Sequence, residues 1–153
     1  MEENEARFIG SPRVAHLASG DGSGAPHVVP ICFALEAGII YTAIDAKPKR
    51  VDARGLRRVR NILENPQVAL VFDRYVEDWS RIGYVIVTGQ GTLTEDENKR
   101  LMAEHALRVK YPQYHEMLPV GCPVIRIEPS RVVSWGNLDD DNKVAPGHTS
   151  SKS

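Results

Sequence analysis

The chain has 153 residues, a formal charge of −1, 42% hydrophobic and 25% charged residues. That size supports one domain whose core needs neither metal nor disulfide, and the near-neutral charge argues against a general nucleic-acid binder. No apolar run approaches a membrane span and no secretory leader opens the sequence, so no membrane partner is expected. Cys32 and Cys122 lie far apart among apolar residues and match no metal spacing, which reads as buried free thiols in a reducing, cytoplasmic setting.

Residues 2–10, EENEARFIG, suit a short helix anchored by Phe8 and Ile9 and stopped by Pro12. VAHLAS (14–19) alternates as a strand, DGSGAP is a dense turn signal, and HVVPICFAL (27–35) returns as the second arm of a hairpin. Pro30 within that arm requires an edge position or a bulge. Glu36, Ala37 and Gly38 turn the chain into a third strand, GIIYTAI (38–44). A helix is expected over 52–64, closed by Asn65 and Pro66. QVALVFDRY (67–75) and RIGYVIVTGQGTL (81–93) read as strands, the second bent at Gly89 and Gly91.

Residues 94–112 carry a helical period, with Thr94 as N-cap, Glu97 completing a capping box, and Leu101, Met102, Ala106 and Val109 as the apolar stripe. A short helical piece, QYHEML, follows, then two final strands, PVIRIEP (123–129) and RVVSWG (131–136). Residues 138–153 are polar and aperiodic, so the expected division is one domain over 1–137 and a flexible C-terminal tail. About seven short strands, mostly hairpin-joined, with two or three helices predict a mainly β fold: a closed antiparallel barrel with flanking helices.

The strongest local signal is charge. Between Lys47 and Arg60 stand seven cations (Lys47, Lys49, Arg50, Arg54, Arg57, Arg58 and Arg60) against one acid, Asp52. On a helix from Asp52, the residues Arg54, Arg57, Arg58 and Asn61 fall on one face and Leu56, Val59, Ile62 and Leu63 on the other. A cationic first turn beside free N–H groups suits a phosphate or polycarboxylate. The competing reading is a solvated helix face, with Arg60 and Glu64 as an ordinary i,i+4 pair.

No nucleophile elbow, P-loop or dinucleotide fingerprint is present, and the five histidines form no metal-ligand spacing, so a protein metal site is not expected. His16 reads as structural, whereas His27, at the mouth of the hairpin, is a candidate ligand contact. Trp79 and Trp135 suit either core packing or the wall of a planar ligand. A small barrel with a concentrated cationic segment and no acid–base dyad fits a protein whose cofactor supplies the chemistry.

The succession HVVPICFAL, GIIYTAIDAKPKR, LRRVRNILENPQVALVFD, then the D-x-W-S stretch, VIVTGQGTL and RIEPSRVVSWG, resembles the pyridoxamine 5′-phosphate oxidase-like, FMN-binding split-barrel superfamily. It looks closest to the branch assigned as coenzyme F420-dependent enzymes. The resemblance covers roughly residues 6–137 and rests on the ordered set of segments rather than on one motif.

It implies a six- to seven-stranded antiparallel split barrel and a homodimer with cofactor sites at the subunit interface. The ring would lie against His27, Val28, Val29 and Pro30 and against Tyr41, Thr42, Ala43 and Ile44. The phosphate would be held by Arg57 and Arg58, with Asn61 beside them. Lys47, Lys49 and Arg50 would suit the anionic tail of the deazaflavin, while Trp79 adds an aromatic wall and Trp135 approaches from the second subunit.

The arginine and histidine with which the true oxidases grip pyridoxal phosphate are not evident after Trp135, where the chain runs into LDDD. The expectation is therefore an oxidoreductase that uses coenzyme F420 for hydride transfer to a small, conjugated acceptor, with Tyr41, His27 or water as proton donor. The alternatives are an FMN-dependent oxidase or flavin reductase on the same fold, and a non-catalytic cofactor or haem carrier.

Overall fold

The computed structural model describes residues 1–45 and 55–139. Among these residues seven strands form one antiparallel sheet: β1 (Ala15–Gly20), β2 (Pro26–Ile31), β3 (Ala34–Glu36), β4 (Ile39–Ala43), β5 (Gln67–Arg74), β6 (Gly83–Thr94) and β7 (Val124–Gly136), in the order β2-β1-β5-β6-β7-β4-β3. The two outermost strands, β2 and β3, are consecutive in the chain and separated only by Cys32 and Phe33. The sheet therefore curls until its edges nearly meet, which makes a split barrel. Among the described residues four α-helices flank it: α1 (Glu3–Gly10), α2 (Arg57–Glu64), α3 (Glu97–Lys110) and α4 (Tyr114–Met117). No helix among the described residues is long and apolar enough to cross a membrane.

Alternation along the strands builds the interior. Leu17, Leu70, Phe72, Val85, Val87, Ile125 and Ile127 are fully buried there, with Phe33 and Phe72 packed edge-on at 5.0 Å. α1 contributes Phe8 and Ile9, and α2 contributes Val59 and Ile62. A second apolar cluster lies outside the barrel, where Ala103 and Leu107 of α3 cover Tyr41, Ala43 and Val124.

Several expectations need correction. The strand expected over 27–35 breaks into β2 and β3 because Phe33 leaves the ladder: its N–H donates to the Tyr111 hydroxyl at 3.1 Å, and the Cys32 carbonyl accepts from Thr42 Oγ1 at 2.8 Å. The two expected final strands are one, carrying a bulge at Ser130 opposite Thr88 and Gly89. Thr94 does not cap α3, because its pairing with Val124 holds it in the sheet; Asp96 caps instead, accepting from Lys99 N–H.

The apolar stripe of α3 is also displaced. Leu101, Met102 and Val109 face solvent, while Arg100 and Glu104 are buried. Those charges satisfy one another: Glu104 bridges Arg100 and Arg108 at 2.8 Å each and accepts from Gly121 N–H at 3.0 Å. Leu138, expected in the tail, is only 9% exposed and packs in the barrel core, so the folded body reaches past residue 137. Residues 140–153 lie outside the described residues.

Candidate cofactor site

The helix after β4 begins at Arg57, with Leu56 as an N-cap that offers no side-chain acceptor. Among the described residues, no side chain caps its first N–H groups. It docks on the sheet through Val59, Asn61 and Ile62. Asn61 is 2% exposed and donates to Ser19 Oγ at 3.1 Å, so it belongs to the buried side and not to a cationic face. Leu63, placed on the apolar face by its spacing, is 53% exposed. The described helix begins at Arg57, residues 52–54 of the expected one lying outside the described residues; its buried side carries Val59, Asn61 and Ile62, with Arg58 half-buried beside them. Arg57 and Arg60 point to solvent, and Glu64 accepts from Gly22 N–H at 2.8 Å rather than pairing with Arg60.

Arg58 is half-buried and lines a 270 Å³ cavity together with Pro30, Thr42, Ala43, Asp45 and Tyr114. Its Nε is occluded and has no hydrogen-bond partner. Burial pulls its pKa down, while Asp45 and Tyr114 pull the other way; a guanidinium stays charged throughout. Asp45 accepts a 2.5 Å hydrogen bond from the Tyr114 hydroxyl, and burial first, then Asp45, pushes the Tyr114 pKa up. A half-buried cation with an orphaned donor, beside a helix start whose N-cap Leu56 supplies no side-chain acceptor, is a chemically reasonable seat for a phosphate. The volume suits a phosphate and the chain next to it, not a tricyclic ring as well.

Of the residues expected at a cofactor, the structure brings Pro30, Thr42, Ala43 and Arg58 to this cavity. His27 turns inward opposite Ser19, its Nδ1 occluded and without a partner, and Val29 packs against the barrel core. Val28 is exposed on the outer sheet face. Tyr41 is buried beneath α3 and Ile44 lies in the barrel core, so neither lines the cavity. Lys47, Lys49, Arg50 and Arg54 fall outside the described residues. Sequence spacing missed Asp45 and Tyr114, which lie 69 positions apart and carry no shared motif.

Trp79 and Trp135 stand elsewhere in the molecule, away from this cavity. Trp79 is 70% exposed and donates to the Tyr75 hydroxyl at 3.2 Å; Trp135, 54% exposed, stacks on Tyr84 at 5.6 Å. Trp135 ends the outer face of the sheet, where register lines up Pro30, His16, Val71, Ile86 and Val133 across five strands. No helix among the described residues covers that row: α3 packs on β3 and β4, and α1 and α2 add side chains to the barrel core. Among the described residues, no group of three His, Cys, Asp or Glu is placed to hold a metal.

Strand order, helix placement and barrel closure are those of the pyridoxamine 5′-phosphate oxidase-like split barrels. The chain belongs to the pyridoxamine 5′-phosphate oxidase family, whose sequence profile matches residues 1–136. Solved structures share the fold at low identity. A conserved hypothetical protein of Mycobacterium tuberculosis superposes with a TM-score of 0.71 at 21% identity, covering 89% of this chain and 85% of that one. The haem storage protein HutZ of Vibrio cholerae gives 0.69 at 16%, covering 88% and 94%. An FAD-binding protein of Mesorhizobium loti gives 0.67 at 20%, also covering 88% and 94%. No curated protein matches the chain by sequence.

Proposed function

We propose that the protein is a homodimeric oxidoreductase that holds a flavin by its phosphate at Arg58 and passes a hydride to or from a small, conjugated organic acceptor. The observation that carries this reading is the occluded, partnerless Nε of Arg58 in a cavity walled by β2 and β4. The flavin supplies the redox chemistry when bound; the chain's own part is to neutralise the phosphate, orient the cofactor and exclude water. Arg58 does the first, helped by the N–H groups of the α2 start, which no described side chain caps.

A flavin is favoured over coenzyme F420 because a structural relative is named as FAD-binding. A second subunit is expected on the bare row from Pro30 to Val133, which would bring Trp135 of one protomer toward its partner. The true oxidase reaction on pyridoxamine phosphate is not part of this reading, since its recognition residues are not evident after Trp135.

The test is a titration of wild type, Arg58→Ala and Arg60→Ala with FMN, FAD, F420, riboflavin and haem, followed by fluorescence or absorbance. Losing a charge-assisted contact should weaken FMN binding by about tenfold to a hundredfold in Arg58→Ala and barely in Arg60→Ala. Riboflavin, which has no phosphate, should bind wild type and Arg58→Ala alike. Equal FMN affinity in wild type and Arg58→Ala would remove the phosphate assignment. Preference for F420 would restore the deazaflavin, and haem binding without flavin binding would leave a carrier.

A further inference from the structure

A second, larger cavity of 600 Å³ adjoins the first and shares Val14, Cys32 and Tyr114 with it. It opens between the segment before β1 and the C-terminal end of α3. Its charged lining residues among those described are two cations, Arg13 and Lys110, with no carboxylate. Arg13 is held in place: its Nη1 donates to the Lys110 carbonyl at 2.6 Å, and its guanidinium lies 5.5 Å from the Tyr111 ring centroid. The rest of its fork is left for another acceptor. The Lys110 ammonium sits 3.5 Å from the Phe33 ring centroid and 5.3 Å from that of Tyr111, and no hydrogen-bond acceptor reaches it. Asp45, on the wall of the neighbouring cavity, is already bonded to Tyr114.

We infer that this cavity binds small organic anions, a carboxylate engaging Arg13 in the field of Lys110 while a flat apolar body rests against Tyr111 and Tyr114. Two uncompensated cations in an aromatic-walled pocket of this volume focus a positive potential on whatever enters. A neutral molecule of the same shape gains only the apolar contact; the carboxylate also relieves an unpaired charge. Under the flavin reading the bound anion would be the acceptor, because the cavities abut. That role rests on the reading above, whereas the binding itself does not.

The arrangement has a pH signature. The charged or titratable groups facing Lys110 are Arg13, Cys32, Tyr111 and Tyr114. Burial, and then Arg13, lower the Lys110 amine to about 8. Tyr111 and Tyr114 are pushed upward by burial and stay protonated near neutrality. A bound anion favours the protonated amine, so by linkage its affinity falls as pH rises through about 8.

The experiment uses the intact protein without cofactor and two isosteric probes, benzoate and benzamide, followed by calorimetry or amide chemical shifts. Benzoate should bind at least about tenfold tighter than benzamide near neutral pH, as a charge-assisted contact implies. Its affinity should fall several-fold toward about pH 9.5, in wild type and in Cys32→Ser alike, as the Lys110 amine gives up its proton. Arg13→Gln should weaken benzoate about tenfold, and Arg58→Ala should leave it unchanged. Equal affinity for the two probes, a flat pH profile, or an Arg58→Ala loss as large as that of Arg13→Gln would overturn the assignment. If Arg13→Gln fails to fold, the probe comparison and the pH profile decide. A protein that binds no flavin at all can still pass every one of these criteria, so the two readings fail separately.

Discussion

The Tyr114 hydroxyl donates to Asp45 Oδ2 at 2.5 Å, joining α4 to the end of β4 at the mouth of the Arg58 cavity. The bond fixes a negative charge beside the group proposed to receive a phosphate. Asp45→Asn removes that charge and keeps the shape. Phosphate-bearing cofactor should then bind about fivefold tighter, the effect of deleting roughly 1 kcal/mol of like-charge repulsion near a partly solvated site. Riboflavin should not change. A weaker FMN complex in Asp45→Asn would mean that Asp45 holds Arg58 in its working position and does not compete for it.

Lys110 is stabilised poorly in the fold, since burial and Arg13 depress its pKa from the ordinary 10.5 to about 8. Above about 10.5 the amine is neutral in both states and carries no penalty. As pH falls from there through 8, the unfolded chain takes up the proton more readily and the penalty develops fully. Lys110→Met, measured without ligand, should therefore stabilise the protein near pH 7 by about 1 kcal/mol after allowance for its partial exposure. The gain should disappear toward about pH 10.5, which denaturant melts at several pH values would follow.

Gly89 sits beside the bulge of β7, where an added Cβ would overlap the Glu128 carbonyl oxygen. The obstruction is backbone, which cannot rotate away. Gly89→Ala should cost about 2–3 kcal/mol and lower the melting temperature by several degrees. An unchanged melting temperature would show that the bulge can migrate along the strand.

The outer row Pro30–His16–Val71–Ile86–Val133 supplies the test of assembly. Ile86 is 36% exposed and Val133 40% exposed, and neither lies in the core clusters. Ile86→Lys places a charge in the middle of that face. Wild type should sediment as a dimer at about micromolar concentration and the variant as a folded monomer. A wild-type monomer would remove the second subunit from the proposed function.

The parts legible in the sequence were those where one physical signal dominates. Alternation over β5 and β6 gives strands, and Phe8 and Ile9 give the anchor of α1. The phase of α3 was not legible, because its buried side carries Arg100 and Glu104, whose burial is tolerable only once Arg108 and Gly121 are in place. The charge run located Arg58 but mistook its direction: the start of α2 and its docking through Asn61 onto Ser19 depend on a contact 42 positions away. Asp45 and Tyr114 had no local signal at all.

The seam between β2 and β3 is closed by a side chain from far along the chain. The Tyr111 hydroxyl accepts from Phe33 N–H and offers its proton to the carbonyls of Arg13 and Phe33, while Ala43 of β4 pairs with Val124 of β7. During synthesis, β1, β2, β5 and β6 can zip as soon as they emerge, but the β3–β4 hairpin has no strand partner other than itself until β7 leaves the ribosome. Until then the apolar inner side of that hairpin, with Phe33 and Ile40, stays open to water and to other nascent chains. Residues 111–127 thus act as the late fastener of the barrel, and a chain that stops before them is an unsealed sheet rather than a smaller version of the protein.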